Sequence, residues 1–445
     1  MTGADAQAKT GGRKIIIAAY GTLGIVHPCL AVGLALKARG FSPVLAVSAS
    51  HAGKVTGAGL DAAVIMPSVE DIADAAAAAI GVTPEEAIRR IMADQDFFIK
   101  KVLLDGLEQS VIALREHIDG AIAIVGPRST LAGPILSEKY AIPFFELQLQ
   151  PMALFSADDP PFAKGMEVLT RIKVKPLRMA WNRVWIAFFL KVLRGRYAPP
   201  VDVVRAKFGL PKLTSAPFFQ FEITPVMSLG LWSPSYAPLP SDFAGRLQLT
   251  GFTSFDSDSG QEETLDADMQ TFLASGSPPL VFTLGTMAVA SPGSFFTASL
   301  DAARALGRRA VILAGKTDLP ASPDIIVREY VPHSLLFPHA AIIVHHGGMG
   351  TTAQALRRGI PQVIVPHFLD QPDNGRRIRA LGVGDVIEIG DYTGANVTEK
   401  LNGLLADNAF KVRAEKIAAA LAVEADGGAC AADLIATKLA TILPS

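Results

Sequence analysis

Short apolar runs alternate with helical periodicity along most of the chain. KIIIAAY, at 14–20, is apolar at almost every position and bounded by glycine, the pattern of a strand buried on both faces. Gly21 and Gly24 predict a tight turn. A helix is expected from 27 to 39, with Pro28 in its first turn and Gly40 ending it. The run 41–47 is the next strand. Strand, glycine turn, helix, strand is a βαβ unit, which implies a parallel sheet. Residues 69–118 read as long helices, and strands at 121–125 and 143–147 flank a helix over 131–140.

Residues 225–280 break this pattern. SPSYAPLPSD, FDSDSGQEE and SGSPP concentrate turn formers and predict an interdomain connection, with the boundary near 250–260. The alternation then restarts. Strands are expected at 280–284, 309–314, 325–328, 341–345 and 361–366, with helices at 295–306, 351–358 and 375–381. A last helix, at about 411–442, is expected near the domain junction. The expected class is α/β: two facing, doubly wound, Rossmann-like domains, 1–250 and 251–445, with a cleft between them. In such sheets ligands bind at the carboxyl ends of the strands.

Composition narrows the chemistry. Half of the 445 residues are hydrophobic and 19% are charged, ample for two large cores. The net charge of −1 provides no global basic field for nucleic acid. The two cysteines, Cys29 and Cys430, form no disulfide framework and show no metal-ligand spacing, which fits a reducing cytoplasm. Residues 1–14 have no apolar core of the signal-peptide kind and read as a disordered tail.

The most informative segment is HHGGMGTT, residues 345–352, between a strand and a helix. Its glycines let backbone approach a ligand, and free N–H groups at the helix start suit a phosphate. A histidine beside them can stabilise a departing diphosphate. Downstream, Asp370-Gln371 offers a carboxylate and a carboxamide to neighbouring sugar hydroxyls. Upstream, Tyr330 and His333 offer a ring and a polar group to a nucleobase.

Together these residues, in YVPHSLLFPHAAIIVHHGGMGTTAQALRRGIPQVIVPHFLDQPDN, resemble the donor-site signature of family 1, UDP-glycosyltransferase-like enzymes. The resemblance is specific over 330–384 and looser before 250. It implies the GT-B architecture and transfer with inversion at the anomeric carbon, without a metal. By position it implies that His346, with His345 beside it, contacts the donor phosphates. Gly348, Gly350 and Thr351 would cradle them, and Gly285-Thr286 would lie near them. Asp370 and Gln371 would hold the sugar, Asn374 would be a further donor-side polar position, and Tyr330 and His333 would contact the base. SEKYAIPFFELQLQPMALFSADDPP also resembles bacterial rhamnosyltransferases of the rhamnolipid type, and bacterial flavonoid glycosyltransferases look similar. The implied partners are a UDP- or dTDP-activated hexose or deoxyhexose, such as glucose or rhamnose, and an apolar hydroxylated acceptor, phenolic or lipid. The nucleotide sugar is a co-substrate, and no cofactor is implied.

The pattern departs from that family at the expected general base. The family places it three residues before the proline of the first helix, and here that position is Ile25. A partner aspartate after the expected strand at 121–125 is absent, and Gly126 stands there. Four readings follow. His27 acts from a shifted turn; Asp158 or Asp159 serves instead; the acceptor is itself acidic; or the chain is a non-catalytic auxiliary subunit of a partner transferase. Residues 171–196 contain eight Lys or Arg and no acid. From Leu177 to Val192 they show helical apolar spacing. That suits a helix packed on the core with a solvated basic face, a wall of the acceptor pocket, or peripheral contact with the inner membrane face.

Overall fold

The computed structural model describes residues 12–443 except 221, 256, 258–259, 261–262, 286–288, 290–291 and 316–318. The expected tail before residue 12, and Thr286, lie outside the described residues. Two parallel sheets organise the chain. The first holds β1 (Arg13–Ala18), β2 (Phe41–Ser48), β3 (Asp61–Met66), β4 (Ala121–Gly126), β5 (Phe144–Gln148), β6 (Met227–Gly230) and β7 (Gln248–Leu249), in the order β3-β2-β1-β4-β5-β6-β7. The second holds β8 (Leu280–Thr283), β9 (Ala310–Leu313), β10 (Ile325–Arg328), β11 (Ile342–His345), β12 (Gln362–Ile364) and β13 (Gly384–Val386), ordered β10-β9-β8-β11-β12-β13. Each is doubly wound, and the arrangement is that of GT-B proteins.

Strand β1 shows why its run is apolar at every position. Ile15 and Ile17 enter one core and Ile16 and Ala18 another, one on each face of the sheet. A further cluster joins the halves. Leu154, Trp232, Tyr236 and Phe252 pack against Ala353, Leu356, Ile364 and Ile378 of the second sheet's layer. The terminal helix Gly427–Ile442 returns to pack on helix Leu23–Lys37. Gly427 and Gly428 permit this. A methyl at Gly427 would overlap the Gly251 carbonyl, and one at Gly428 would lie 3.1 Å from the Ala31 backbone.

Several expectations need correction. The first helix starts at Leu23, not 27, so Pro28 lies inside it rather than in its first turn. Pro28 lacks the N–H that would bond the Gly24 carbonyl, and Gly24 is exposed, where solvent can take its place. The long helices expected over 69–118 are broken at Gly81 and Asp94 and by a π turn over Ile99–Leu104. Residues 225–280 contain β6 and β7 of the first sheet, not only connection. The last expected helix is two, Asn408–Ala422 and Gly427–Ile442.

Candidate active site

The topology reverses between β8 and β11 in the second sheet, so the loops after these strands diverge and leave a crevice. Gly285 follows β8 and His346 follows β11. The two touch: a methyl at Gly285, or one at Gly348, would overlap the His346 imidazole. The ring is thus slotted between two glycines, which explains both at once. Gly348 occupies the N-cap of helix Met349–Arg357, and a methyl at Gly350, which is exposed, would meet nothing. Thr351 is buried in the helix's first turn. His346 is 9% exposed and its Nδ1 makes no hydrogen bond. Burial first, then His345, His367 and His333, hold its pKa well below the usual histidine value, so the imidazole is neutral.

His345 differs from its neighbour. It is fully buried, its Nδ1 accepts the Gly347 N–H at 3.1 Å, and its Nε2 lies 2.9 Å from Gln362 Oε1. Both nitrogens are engaged, so His345 shapes the turn and has none left for a donor. These bonds speak against the donor contact expected of it. Gly347 sits at φ +89°, and a methyl there would press Ile364 at 2.6 Å.

Asp370 and Gln371, the pair expected to hold the sugar, open helix Gln371–Leu381, with Asp370 at its N-cap. Gln371 Oε1 accepts the N–H groups of His367 (2.7 Å) and Phe368 (2.9 Å), which leaves its NH₂ to donate. Asn374 Nδ2 donates to Asp370 Oδ2 and to the Gly347 carbonyl, each at 2.8 Å, while Tyr236 O–H donates to Asn374 Oδ1 at 2.8 Å. Both amide hydrogens of Asn374 are therefore used, and the residue is 1% exposed. It positions Asp370 against the glycine turn, which favours a supporting place over the donor contact expected of it. Tyr236 was not foreseen; it lies 138 positions away in sequence. Burial raises the Asp370 pKa to about 6, against the hydrogen bond from Asn374. His333 stacks on Phe337 with ring centroids 4.4 Å apart, and burial lowers its pKa to about 4. Tyr330 is partly buried just before it.

Residues 299–437 match the family described as the C-terminal domain of erythromycin biosynthesis protein CIII-like proteins. The glycosyltransferase GtfC of Amycolatopsis orientalis is 25% identical over 425 residues, covering 95% of this chain and 97% of its own. Among solved structures, the glycotransferase of kitacinnamycin superposes with a TM-score of 0.69 at 20% identity, covering 96% of this chain and 99% of that one. The spinosyn rhamnosyltransferase SpnG, complexed with thymidine diphosphate, gives 0.62 at 20% identity over 96% and 99%. The chain is a glycosyltransferase, similar over almost its whole length to GT-B enzymes of the family 1 type.

In this transferase the expected base positions are occupied by packing. Ile25 covers Gly21, where a methyl would lie 2.8 Å from Ile25 Cδ1. Gly126 presses against β1 so closely that a Cβ would stand 2.5 Å from the Ala18 carbonyl, which excludes an aspartate. His27 is partly buried against Phe255, and its Nε2 is 3.5 Å from Lys54 Nζ. Burial first, then the Lys54 charge, lower its pKa to about 3, far too low for a proton acceptor at neutral pH. This environment speaks against the catalytic role considered for it. Asp158 accepts from Lys175 (2.9 Å) and Ser241 (2.6 Å). Burial works against its ionisation, but these bonds hold its pKa well below the carboxylate range. Asp159 pairs with Arg377 at 2.7 Å and Arg376 at 3.2 Å. Both aspartates are committed to ion pairs.

The transferase's apolar contact between halves lies next to the sugar pair. Phe98 and Phe368 meet edge to face with ring centroids 5.3 Å apart. Among the described residues no group of His, Cys, Asp and Glu is gathered as for a metal, and no helix is long and apolar enough to cross a membrane.

Proposed function

We propose that this transferase moves a hexose or deoxyhexose, with inversion and without a metal, from a UDP- or dTDP-sugar to an acidic hydroxyl of an apolar acceptor. The observation that carries the reading is the arrangement at the second sheet's switch point. A carboxylate positioned by Asn374 and a carboxamide with a free NH₂ stand beside a helix N-terminus and a slotted, neutral His346. The acceptor oxygen attacks the anomeric carbon from the face opposite the diphosphate, and the bond from that carbon to the phosphate oxygen breaks. The leaving diphosphate's charge is taken by the N–H groups at the start of helix Met349–Arg357 and by His346. Asp370 and Gln371 hold the sugar hydroxyls. Tyr330 and His333 are assigned to the base, and Gly285 gives the phosphates close approach.

Acceptor acidity follows from the first half. With Ile25 and Gly126 at the expected base positions, His27 buried beside Lys54, and Asp158 and Asp159 held in ion pairs, the reading favours an acceptor that ionises readily, such as a phenol, and loses its proton to solvent before attack. The Phe98–Phe368 contact supports an apolar body. That SpnG was solved with thymidine diphosphate makes dTDP-sugars the first donors to offer.

The test is mass spectrometry of metal-free reactions offering UDP-glucose, UDP-galactose and dTDP-rhamnose against flavonoids, simple phenols, sterols and 3-hydroxy fatty acids. Products on phenols, heavier by one hexose or deoxyhexose, are expected. Folded protein that binds the nucleotide yet yields product only when a second chain is added would establish the auxiliary-subunit alternative instead.

The Asp370 pKa gives a further expected result. Sugar hydroxyls donate to the ionised carboxylate, so kcat/KM should fall about tenfold per pH unit below about 6. Asp370→Asn should be slow at every pH and lack this limb. Stability moves the other way. The folded chain keeps the Asp370 proton where the unfolded chain has lost it, so this group's contribution to stability is complete below 3.8 and is lost as pH rises through about 6. Asp370→Asn should therefore melt no lower than the parent at pH 7, measured by scanning calorimetry.

A further inference from the structure

Helix Lys175–Lys207 carries two apolar faces, and only one is used by the fold. Asn182, Ile186, Tyr197, Val201 and Val204 are buried against the first half. At about 100° per residue, Leu177, Trp181, Val184, Phe188 and Val192 fall on a single stripe roughly opposite. That stripe points outward: Leu177 is 62% exposed, Val184 69% and Phe188 52%. Five of the twelve exposed large apolar side chains among the described residues lie within 174–192, so the exposure is concentrated rather than scattered. This excludes the reading in which these residues face the core.

The charges around the stripe select its partner. Arg183, Lys191 and Arg194 run along one flank, beside an open groove of about 390 Å³ that they line with Phe155, Ile186 and Asp242. Arg178 and Arg196 run along the other flank, paired with Asp158 and Asp96. Residues 171–196 contain no acid at all. A second copy would bring the same cations against these and be repelled, whereas an anionic surface is attracted. We propose that this helix lies on an anionic lipid bilayer. Phe188, Val184 and Leu177 enter the boundary between headgroups and acyl chains, and Arg183 and Lys191 reach lipid phosphates beside them. Trp181 and Trp185 are half-buried on the same side, an amphipathic pair suited to that depth. The inference does not depend on the donor or acceptor proposed above.

The test is flotation of the full chain with vesicles of phosphatidylcholine alone and of equal parts phosphatidylcholine and phosphatidylglycerol. Association with the anionic vesicles, weakened by salt, is expected. The double variant Val184→Glu/Phe188→Glu should lower it at least about tenfold. Arg183→Glu/Lys191→Glu should remove its salt dependence along with most of the binding. All three proteins should melt alike, since the substituted side chains are outside the core. Tryptophan emission gives a second readout: two of the three tryptophans lie on this helix and Trp232 is fully buried, so emission should shift to the blue with anionic vesicles. No association with anionic vesicles, or equal association by the Val184→Glu/Phe188→Glu variant, overturns the proposal. So does a dimer in sedimentation velocity that this variant dissolves, which would make the occupant a second copy.

Discussion

Replacing His346 with alanine should lower turnover by about a hundredfold to a thousandfold, the usual cost of removing one donor to a developing negative charge. The melting temperature should change little, because His346 Nδ1 has no hydrogen-bond partner to strand. Gly285→Ala and Gly348→Ala should reproduce much of the loss with His346 still present, because either methyl displaces the ring. The pH profile adds a constraint. The ring is neutral throughout the working range, so turnover should not fall as pH rises through the ordinary histidine value. A loss on that limb that disappears in His346→Ala would mean the site uses the imidazolium. Steady-state kinetics on the three variants, with one donor and acceptor pair, decide it. Full turnover in His346→Ala would remove the residue from the mechanism.

The second half of the chain was the more legible one, and the reason is local. Its strands are short apolar runs closed by glycine or proline, and the 325–328 strand is found as read. The site segment reads well because the helix start, the glycines and the sugar pair lie within a few dozen residues. What sequence cannot show is direction. His345 and His346 are adjacent and chemically identical, yet one is locked between Gln362 and Gly347 and the other lies in the glycine slot. Asn374 reads as a ligand contact until its amide is seen bonded to Gly347, Asp370 and Tyr236. In the first half β3 was missed because DAAVIM lacks a full apolar run, and β7 because two residues carry no periodicity. Asp158 and Asp159 read as free loop acids because Lys175, Ser241, Arg376 and Arg377 are all remote in sequence.

Those remote partners set the other large effect, in stability. Asp373 is fully buried and accepts from Arg377 Nε at 2.7 Å, Arg376 at 2.8 Å and the Phe162 N–H at 3.3 Å. Asp159, from the loop that precedes helix Lys175–Lys207, faces the same two arginines. The cluster therefore pins that loop to the helix bearing Asp370 and Gln371. Burial works against the Arg377 charge, but Asp373 and then Asp159 more than offset it and raise its pKa. Asp373→Ala leaves this buried guanidinium with Asp159 as its remaining carboxylate, and should cost about 3 kcal/mol in unfolding free energy, read by denaturant titration. Asp373→Ala/Arg377→Met should recover part of the loss, because it removes the under-compensated charge and leaves an apolar chain of similar length. Asp159→Asn separates strut from base. As a strut, it should lower the melting temperature and raise the donor KM while the pH profile of kcat keeps its shape. As a base, it would abolish kcat with the melting temperature intact. The ion pairs to Arg376 and Arg377 favour the first result, because they tie this carboxylate to the helix that bears Asp370 and Gln371.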